Sequence, residues 1–265
     1  MSFFRVLPTP TRRVLRRISG ALKDGPEEVR DGVRLVGGTA LALHLGHRRS
    51  RDVDLMTGTP EAVPAVARSL RPALSPTVVR EAPDFIQWEA GDIGVDPAVF
   101  PDPPVRLPEI PHLPVAPLPV LAASKAATLA GRRTLRDYID VYFLLRAGIP
   151  LRELLSLADA GTPGFSAYDF AWALREFRER AGDPAEAEYW SMVLRPVTRD
   201  EMERVFREAA DRIERAYAKA GWLRPVRAPG EVRRTSPGTQ VRDPLEALRG
   251  RPSSAILPYM DTDDD

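Results

Sequence analysis

The chain has 265 residues, 43% of them hydrophobic, which is enough to bury a substantial core in one large domain or two smaller ones. It contains no cysteine, which excludes disulfides, cysteine metal sites and cysteine nucleophiles, and its three histidines are too few and too scattered for a convincing zinc site. The formal net charge of +1 gives no whole-molecule attraction to nucleic acid, so such binding would need a local basic patch.

The N-terminal sequence lacks the apolar core and cleavage site of a secretory signal, and no run of about 18 apolar residues follows. These absences predict a cytoplasmic protein with no membrane span. Residues 11–23 alternate arginine with apolar residues and predict a basic amphipathic helix. We expect its arginines to form a solvent-exposed face at the edge of a domain. The alternative is that they contact RNA phosphates.

The most informative stretch is residues 33–57, VRLVGGTALALHLGHRRSRDVDLMT. An apolar run ends at Gly37-Gly38, a helical pattern opens at Thr39, and Asp52-Val53-Asp54 follows a basic link. This order predicts strand, glycine turn, helix and strand.

Each part of this stretch has a chemical use. The two glycines let backbone N–H groups approach an anion, Thr39 is predicted to cap the helix, and the helix N-terminus favours a triphosphate. Asp52 and Asp54 alternate along a strand, so both carboxylates share one face and suit Mg²⁺. Either motif alone is weak, because glycine pairs and Asp-x-Asp are common in ordinary turns; their combination in this order favours function.

Three more strands are predicted at residues 77–80, 85–89 and 92–97, after a helix at 61–70. Short turns between them imply an antiparallel or mixed sheet. In the third strand Asp96 lies on the face opposite Ile93 and Val95, where it is a candidate third carboxylate. An ordinary turn aspartate before proline is an equal alternative.

Residues 101–119 hold eight prolines and predict an extended connector packed on the surface, at a domain boundary. Two helices are predicted in residues 120–148, broken near Gly131, with Lys125 in the first and Asp137 and Asp140 on one face of the second. A helix-pair salt bridge is the structural alternative to a phosphate site there.

Further helices are predicted at residues 151–159, 167–180, 184–194 and 200–220. Residues 224–265 are rich in proline and charge and predict a mostly disordered tail. The following aromatic residues are predicted to be core: Trp172, Phe177, Tyr189, Trp190, Phe206 and Trp222.

Two groups of residues form motifs that resemble those of a known family. Gly37-Gly38-Thr39 and Arg49-Ser50-Arg51-Asp52-Val53-Asp54-Leu55 resemble the GG-T/S and (R)-x-S-x-D-x-D-L motifs of the AbiEii-type nucleotidyltransferases. These are toxins of type IV toxin–antitoxin systems within the DNA polymerase β-like superfamily. The family's later motifs, K-x-x-A and R-x-x-x-R-D-x-x-D-L, are matched by Lys125, Arg132, Arg136-Asp137 and Asp140, with departures at Thr128 and Val141.

The resemblance implies an α+β fold with a nucleotidyltransferase core, in which helices flank a mixed sheet. Together with the proline-rich boundary and the change in composition, this predicts the core in residues 1–110, a helical domain that completes the active site in 111–222, and the tail in 223–265. It implies transfer of NMP from an NTP to a hydroxyl, with Mg²⁺ or Mn²⁺ as cofactor. The implied catalytic residues are Asp52, Asp54, Lys125 and Asp137; the metal ligands are Asp52, Asp54 and Asp96; the NTP contacts are Gly37, Gly38, Thr39, Arg49, Ser50 and Asp140.

The resemblance also implies a tRNA 3′ end as acceptor and an antitoxin protein as partner. Transfer to a protein or to a small molecule, and a binding module that has lost its chemistry, are the alternatives. The last of these predicts missing carboxylates, whereas Asp52, Asp54 and Lys125 are all present.

Overall fold

The computed structural model describes residues 3–82, 85–89, 93–97 and 105–220. Its contacts divide the chain into two compact units. The first is drawn from Met1–Lys125 with Glu188–Pro196, and the second from Ala126–Ala187 with Val197–Asp265. The division falls at Lys125, whereas the sequence-based boundary was drawn at residue 110. The predicted tail and Trp222 lie outside the described residues.

The first unit contains a five-stranded mixed sheet. Its strands are β1 (Val33–Val36), β2 (Val53–Thr57), β3 (Thr77–Ala82), β4 (Phe85–Glu89) and β5 (Ile93–Pro97), in the order β1-β2-β5-β4-β3. Strands β2 and β5 are parallel and the other pairs are antiparallel. The predicted α+β class with a mixed sheet is therefore confirmed.

The described part of the first unit contains the start of five α-helices: α1 (Thr9–Lys23), α2 (Glu27–Gly32), α3 (Gly37–Leu45), α4 (Val63–Leu74) and α5 (Leu118–Arg132). Helix α1 is amphipathic as predicted, with Leu15, Ile18 and Leu22 fully buried where it packs against α4. Helix α3 is apolar on nearly every side, which suits an element surrounded by core.

The proline-rich segment corrects one sequence-based prediction. Its described part, residues 105–119, is not a surface connector, because Ile110, Leu113 and Val115 are buried. The backbone N–H of Leu35 in β1 donates to the Pro114 carbonyl at 2.8 Å. A proline lacks a donor but keeps its carbonyl acceptor, so the segment pairs along β1 and contributes to the core of the first unit.

The second unit is helical. After α5 it contains α6 (Leu135–Arg146), α7 (Leu151–Gly161), α8 (Ala167–Arg175), α9 (Phe177–Ala181) and α10 (Arg199–Lys219). The rings of Tyr138, Phe177 and Phe206 form its aromatic core, with centroids 5.0 to 5.8 Å apart. Within the described ranges, no helix is both long enough and apolar enough to cross a membrane.

Three predictions in this region are wrong. Tyr189 and Trp190 are half-buried instead of core. Trp172 is 54% exposed instead of core, and its indole N–H donates to Glu176 at 2.7 Å, so a polar partner on the surface replaces burial. Residues Pro184–Met192 form 3₁₀ turns and not an α-helix. They contain no fully buried side chain, so no apolar stripe supports a regular helix there.

Candidate functional site

The acid pair lies at the start of β2. The burial of β2 alternates, with Val53, Leu55 and Thr57 buried and Asp54 partly exposed. Asp52, one residue before the strand, is also partly exposed. Alternation along the strand therefore places both carboxylates on its accessible face, as the sequence predicted.

The glycine turn lies directly against this acid pair. Asp54 pairs with Val36, the last residue of β1, so the residue after Val36 is brought beside the Asp54 side chain. That residue, Gly37, has a φ of +66°, and a Cβ built on it would lie 2.0 Å from Asp54 Oδ2. Only glycine fits this position, because both the backbone conformation and the space exclude a side chain.

Gly38 has a second close approach, to Arg48 and Ser50. A Cβ built on Gly38 would lie 2.5 Å from Arg48 Nη2 and 3.1 Å from Ser50 Oγ. Arg48 is only 5% exposed, and its Nη1 donates to the Arg49 carbonyl at 3.0 Å. A guanidinium and a hydroxyl thus lie beside the backbone that begins α3, which is an arrangement suited to phosphate oxygens.

Arg48 is a candidate residue that sequence reasoning missed. Arg49 was singled out instead, and its side chain is exposed. A signal was present in the sequence, because Arg48, Ser50 and Asp52 are spaced by two and an extended link would direct them to one side. The burial of a charged side chain beside a glycine turn gives it functional meaning.

The predicted helix cap at Thr39 is wrong. Helix α3 begins at Gly37, its N-cap is Val36, and no side chain caps it. Thr39 is fully buried, and its hydroxyl donates to the Asp52 carbonyl. Thr39 therefore ties α3 to the start of the acid strand and positions Asp52. Direct contact between Thr39 and an NTP stays a prediction.

The strand register gives the backbone position of Asp96, the third predicted metal ligand. The backbone of Asp96 pairs with Met56, while Asp54 pairs with Gly94. Register positions 54, 56, 94 and 96 therefore share one face of two neighbouring strands. A metal-binding role for Asp96 stays a prediction.

The donor set of Asp52 and Asp54 fits a hard divalent cation. Throughout the described residues, no group of three or more His, Cys, Asp or Glu side chains is arranged to hold a metal ion. A cation at the acid pair would draw the rest of its shell from substrate phosphates, water and any further carboxylate, as Mg²⁺ ordinarily does. The adjacent N-terminus of α3 and the guanidinium of Arg48 favour those phosphates.

The link between α3 and β2 is held by a segment distant in sequence. The backbone N–H of Arg49 donates to the Met192 carbonyl at 2.8 Å, and that of Leu194 donates to the His47 carbonyl at 2.8 Å. His47 is fully buried. Residues 188–196 thereby hold the link that carries Arg48 and Ser50.

His44, near the C-terminus of α3, fixes the other end of this helix. Its Nε2 lies 2.8 Å from the Ala116 carbonyl, so α3 is held against the proline-rich segment. Burial lowers the pKa of His44, and the hydrogen bond to Ala116 opposes that shift in part. His44 therefore stabilises the position of α3, and its buried surroundings favour the neutral imidazole.

Lys125 lies in α5 and is 8% exposed. It belongs to the same compact unit as Asp52 and Asp54. A lysine ammonium is a compact positive charge, which suits the oxygens of a triphosphate. Contact between Lys125 and a triphosphate stays a prediction.

Asp137 and Asp140 lie in α6 of the second unit, and both are fully buried. Arg132 clasps Asp137 with two hydrogen bonds, Nε to Oδ2 at 3.1 Å and Nη2 to Oδ1 at 2.9 Å. The Thr134 hydroxyl also donates to Asp137. The ion pair that the sequence left open as an alternative is thus present. Roles for Asp137 in catalysis and for Asp140 in NTP binding stay predictions.

Comparison with known proteins adds two findings. The family model described as nucleotidyl transferase AbiEii toxin, type IV toxin–antitoxin system, matches residues 21–89 and 69–213. Among solved structures, the chain is similar to MenT4, a nucleotidyltransferase toxin from Mycobacterium tuberculosis H37Rv, with a TM-score of 0.51 and 19% identity over 76% of this chain and 81% of that one. At that identity the likeness shows the fold alone. A search of curated proteins found no match.

The matched residues include the acid pair, the glycine turn, Lys125 and α6. Because the family model spans well over half of the chain, the chain belongs to the AbiEii family and is a nucleotidyltransferase toxin of a type IV toxin–antitoxin system.

Proposed function

We propose that this nucleotidyltransferase moves an NMP unit from an NTP to the 3′-terminal hydroxyl of a tRNA, in a reaction that depends on a divalent metal ion. The acceptor oxygen attacks the α-phosphorus, and a new phosphodiester bond forms. The bond from the α-phosphorus to the oxygen bridging to the β-phosphate breaks, so pyrophosphate leaves with that electron pair. The hydroxyl proton passes to a base or to solvent.

One observation carries the proposal. Gly37 lies so close to Asp54 that a Cβ there would overlap the carboxylate, so a triphosphate held at the N-terminus of α3 would have its phosphates beside the acid pair. Backbone N–H groups at the turn would bind phosphate oxygens, and Arg48 and Ser50 beside Gly38 would add donors. These groups orient the α-phosphorus for attack and stabilise the charge that develops on it.

Asp52 and Asp54 would hold the metal ion, with Asp96 as a further ligand. Mg²⁺ or Mn²⁺ would supply positive charge at the reacting phosphate oxygens. The chain's part is to fix the two carboxylates: Thr39 holds the Asp52 backbone, and pairing with Val36 fixes Asp54. Lys125 would neutralise the charge on the triphosphate and on the departing pyrophosphate.

A labelling experiment tests acceptor and metal together. The purified chain is incubated with each α-³²P-labelled NTP, Mg²⁺ and total RNA, and the products are separated. We expect label in the tRNA band, loss of label with EDTA, and recovery on addition of Mg²⁺ or Mn²⁺. Label in protein or in a small molecule would replace tRNA as the acceptor, and label nowhere would favour a binding module.

Asp52→Asn and Asp54→Asn each remove one negative charge with little change in volume. We expect each to lower the transfer rate by at least about 10³-fold, the order expected when a charge-stabilising group is lost. Asp159→Asn, at an exposed position in α7, is the matched control. Wild-type transfer by the double variant Asp52→Asn/Asp54→Asn would contradict the proposal.

The toxin assignment predicts a cognate antitoxin protein. Expression of the chain alone should arrest growth, and co-expression of a neighbouring reading frame should relieve the arrest. We expect the chain to act in the cytoplasm, because tRNA and NTPs are found there.

A further inference from the structure

The most uneven feature of the charge distribution lies at the N-terminus. The first 23 residues hold six basic and no acidic side chains, so the other 242 carry a net charge of −5, with 32 basic against 37 acidic residues. Helix α1 carries most of this positive charge. It therefore differs in sign from the rest of the molecule, which the overall value of +1 conceals.

Four of these arginines share one face of α1. Thr9, Arg12, Arg13, Arg16 and Arg17 line a single depression of about 510 Å³. Their spacing of three and four residues puts them on one side of the helix, in two layers about 5.4 Å apart. The opposite side is committed to the core through Leu15, Ile18 and Leu22.

None of the four guanidinium groups forms an ion pair with any carboxylate of the described residues. Arg12 donates to the Thr9 hydroxyl, and Arg16 lies over the Phe4 ring at 5.1 Å. Several exposed arginines of the second unit behave differently, because Arg175, Arg178 and Arg207 each lie on a carboxylate. The unpaired charges on α1 are available to an external anion.

This arrangement weakens the helix by itself. The pairs Arg12–Arg16 and Arg13–Arg17 are like charges at i and i+4, which destabilise a helix by about 0.2–0.5 kcal/mol per pair. No acidic residue occupies the first turn of α1 to offset the positive end of the helix dipole. The cluster is therefore poorly explained by the stability of α1, and a polyanionic ligand would relieve the repulsion.

The cluster is anchored to the link that precedes the acid pair. The hydroxyl of Thr11 donates to the Arg51 carbonyl at 3.2 Å, and Asp52 is the next residue. Arg49 and Arg51 are exposed in this link, so they extend the basic surface from α1 toward Asp52. A chain of phosphates lying on α1 can thus lead to the carboxylates.

From these observations we infer that the outer face of α1, centred on Arg13, Arg16 and Arg17, is the docking surface for the phosphate backbone of the RNA acceptor. The inference rests on the proposed function and specifies where the acceptor binds. Guanidinium groups suit phosphates through paired N–H donors. A membrane surface is a poorer fit, because the apolar side of α1 is buried in the core and cannot enter lipid.

Direct RNA binding tests the inference. A fluorescently labelled tRNA transcript is titrated with the full chain in EDTA and without NTP, at several salt concentrations. The variant Arg13→Gln/Arg16→Gln/Arg17→Gln is compared with the control Arg178→Gln/Arg207→Gln/Arg215→Gln, which removes three exposed arginines of the second unit. Thermal unfolding midpoints verify that both variants are folded.

We expect the α1 variant to bind tRNA at least about tenfold more weakly at 0.1 M salt, and its log–log salt dependence to be shallower by about 2–3, the value for three lost phosphate contacts. The control should bind like the wild type. For transfer, the α1 variant should raise the KM for tRNA and leave kcat unchanged. Asp54→Asn should retain RNA binding and lose transfer.

Equal binding and equal salt dependence in the wild type and the α1 variant would overturn the inference, and so would equal losses in the two triple variants. Loss of binding to phosphatidylserine vesicles with unchanged RNA binding would also overturn it and would assign α1 to a membrane surface. If the α1 variant binds RNA as tightly as the wild type and labels tRNA normally, the inference about α1 is refuted and the proposed reaction is not. Arginine-dependent RNA binding without any label in RNA would refute the proposed reaction alone.

Discussion

Replacement of Gly37 by alanine tests the contact on which the active site depends. A Cβ at this position would lie 2.0 Å from Asp54 Oδ2, and real Cβ contacts essentially never fall below 3.0 Å. Either the turn or the carboxylate must therefore move by at least about 1 Å. A displacement of that size in a reacting group lowers the rate by about 10²-fold.

The same substitution strains the backbone, because Gly37 has a φ of +66°. A left-handed conformation costs an alanine about 1–2 kcal/mol. We therefore expect Gly37→Ala to lower the free energy of unfolding by at least this amount and to reduce kcat for nucleotidyl transfer about 10²-fold. Urea unfolding measures the first quantity, and transfer of α-³²P-NMP at saturating NTP measures the second.

Gly161→Ala is the matched control, because a Cβ at Gly161 meets no atom within 4 Å and its φ is not positive. It should leave both quantities close to those of the wild type. The reasoning is refuted if Gly37→Ala, verified as folded at the assay temperature, transfers NMP at the wild-type rate. It is also refuted if the activity loss matches the unfolded fraction alone.

Three further outcomes are expected. Arg48→Gln should raise the KM for NTP about tenfold, since a charge-assisted hydrogen bond contributes about 1.5–3 kcal/mol. Arg49→Gln, at an exposed position, should raise this KM less. The reverse order in steady-state kinetics would assign the phosphate contact to Arg49. Burial lowers the pKa of His44 in the folded chain, so the unfolded chain binds the proton more tightly; stability should be fully present above pH 6.5 and decline as the pH falls below it. Thermal unfolding of His44→Gln should show a smaller decline between pH 7.5 and 5.5, and an equal decline would assign the effect elsewhere. Phe206→Ala should lower the free energy of unfolding by about 3–5 kcal/mol in urea, because it empties a fully buried site that three aromatic rings contact; a loss under about 1 kcal/mol would contradict that packing.

Much of the site was predictable because its signals are local. The glycine pair, the helix that follows it and the alternating acids lie within 18 residues, and the periods of helix and strand determine their relative placement. The strands at residues 77–97 were predictable for the same reason. Thr39 was misassigned since its partner, the Asp52 carbonyl, is 13 residues away, and capping rules consider only neighbouring backbone groups.

The proline-rich segment shows a second kind of failure. Its composition predicts an extended backbone and says nothing about what lies beside it. In the structure Val105 instead pairs antiparallel with Val115, and residues 108–113 turn between them. Leu35 in β1 supplies the donor and acceptor that pair with this segment about 80 residues later. Ile110 and Leu113 are buried in this segment. Its composition alone predicts that they are exposed.

The amino-acid sequence by itself determined the family, the α+β class, the acid pair and the glycine turn, because each depends on residue types at short, fixed spacings. Only the tertiary structure decided that Arg48 lies beside Gly38, that residues 188–196 hold the link around it, and that Arg132 clasps Asp137. Which polar side chain meets which partner depends on packing between distant segments. Many partners of similar chemistry are available to an arginine in the unfolded chain, and burial selects one of them.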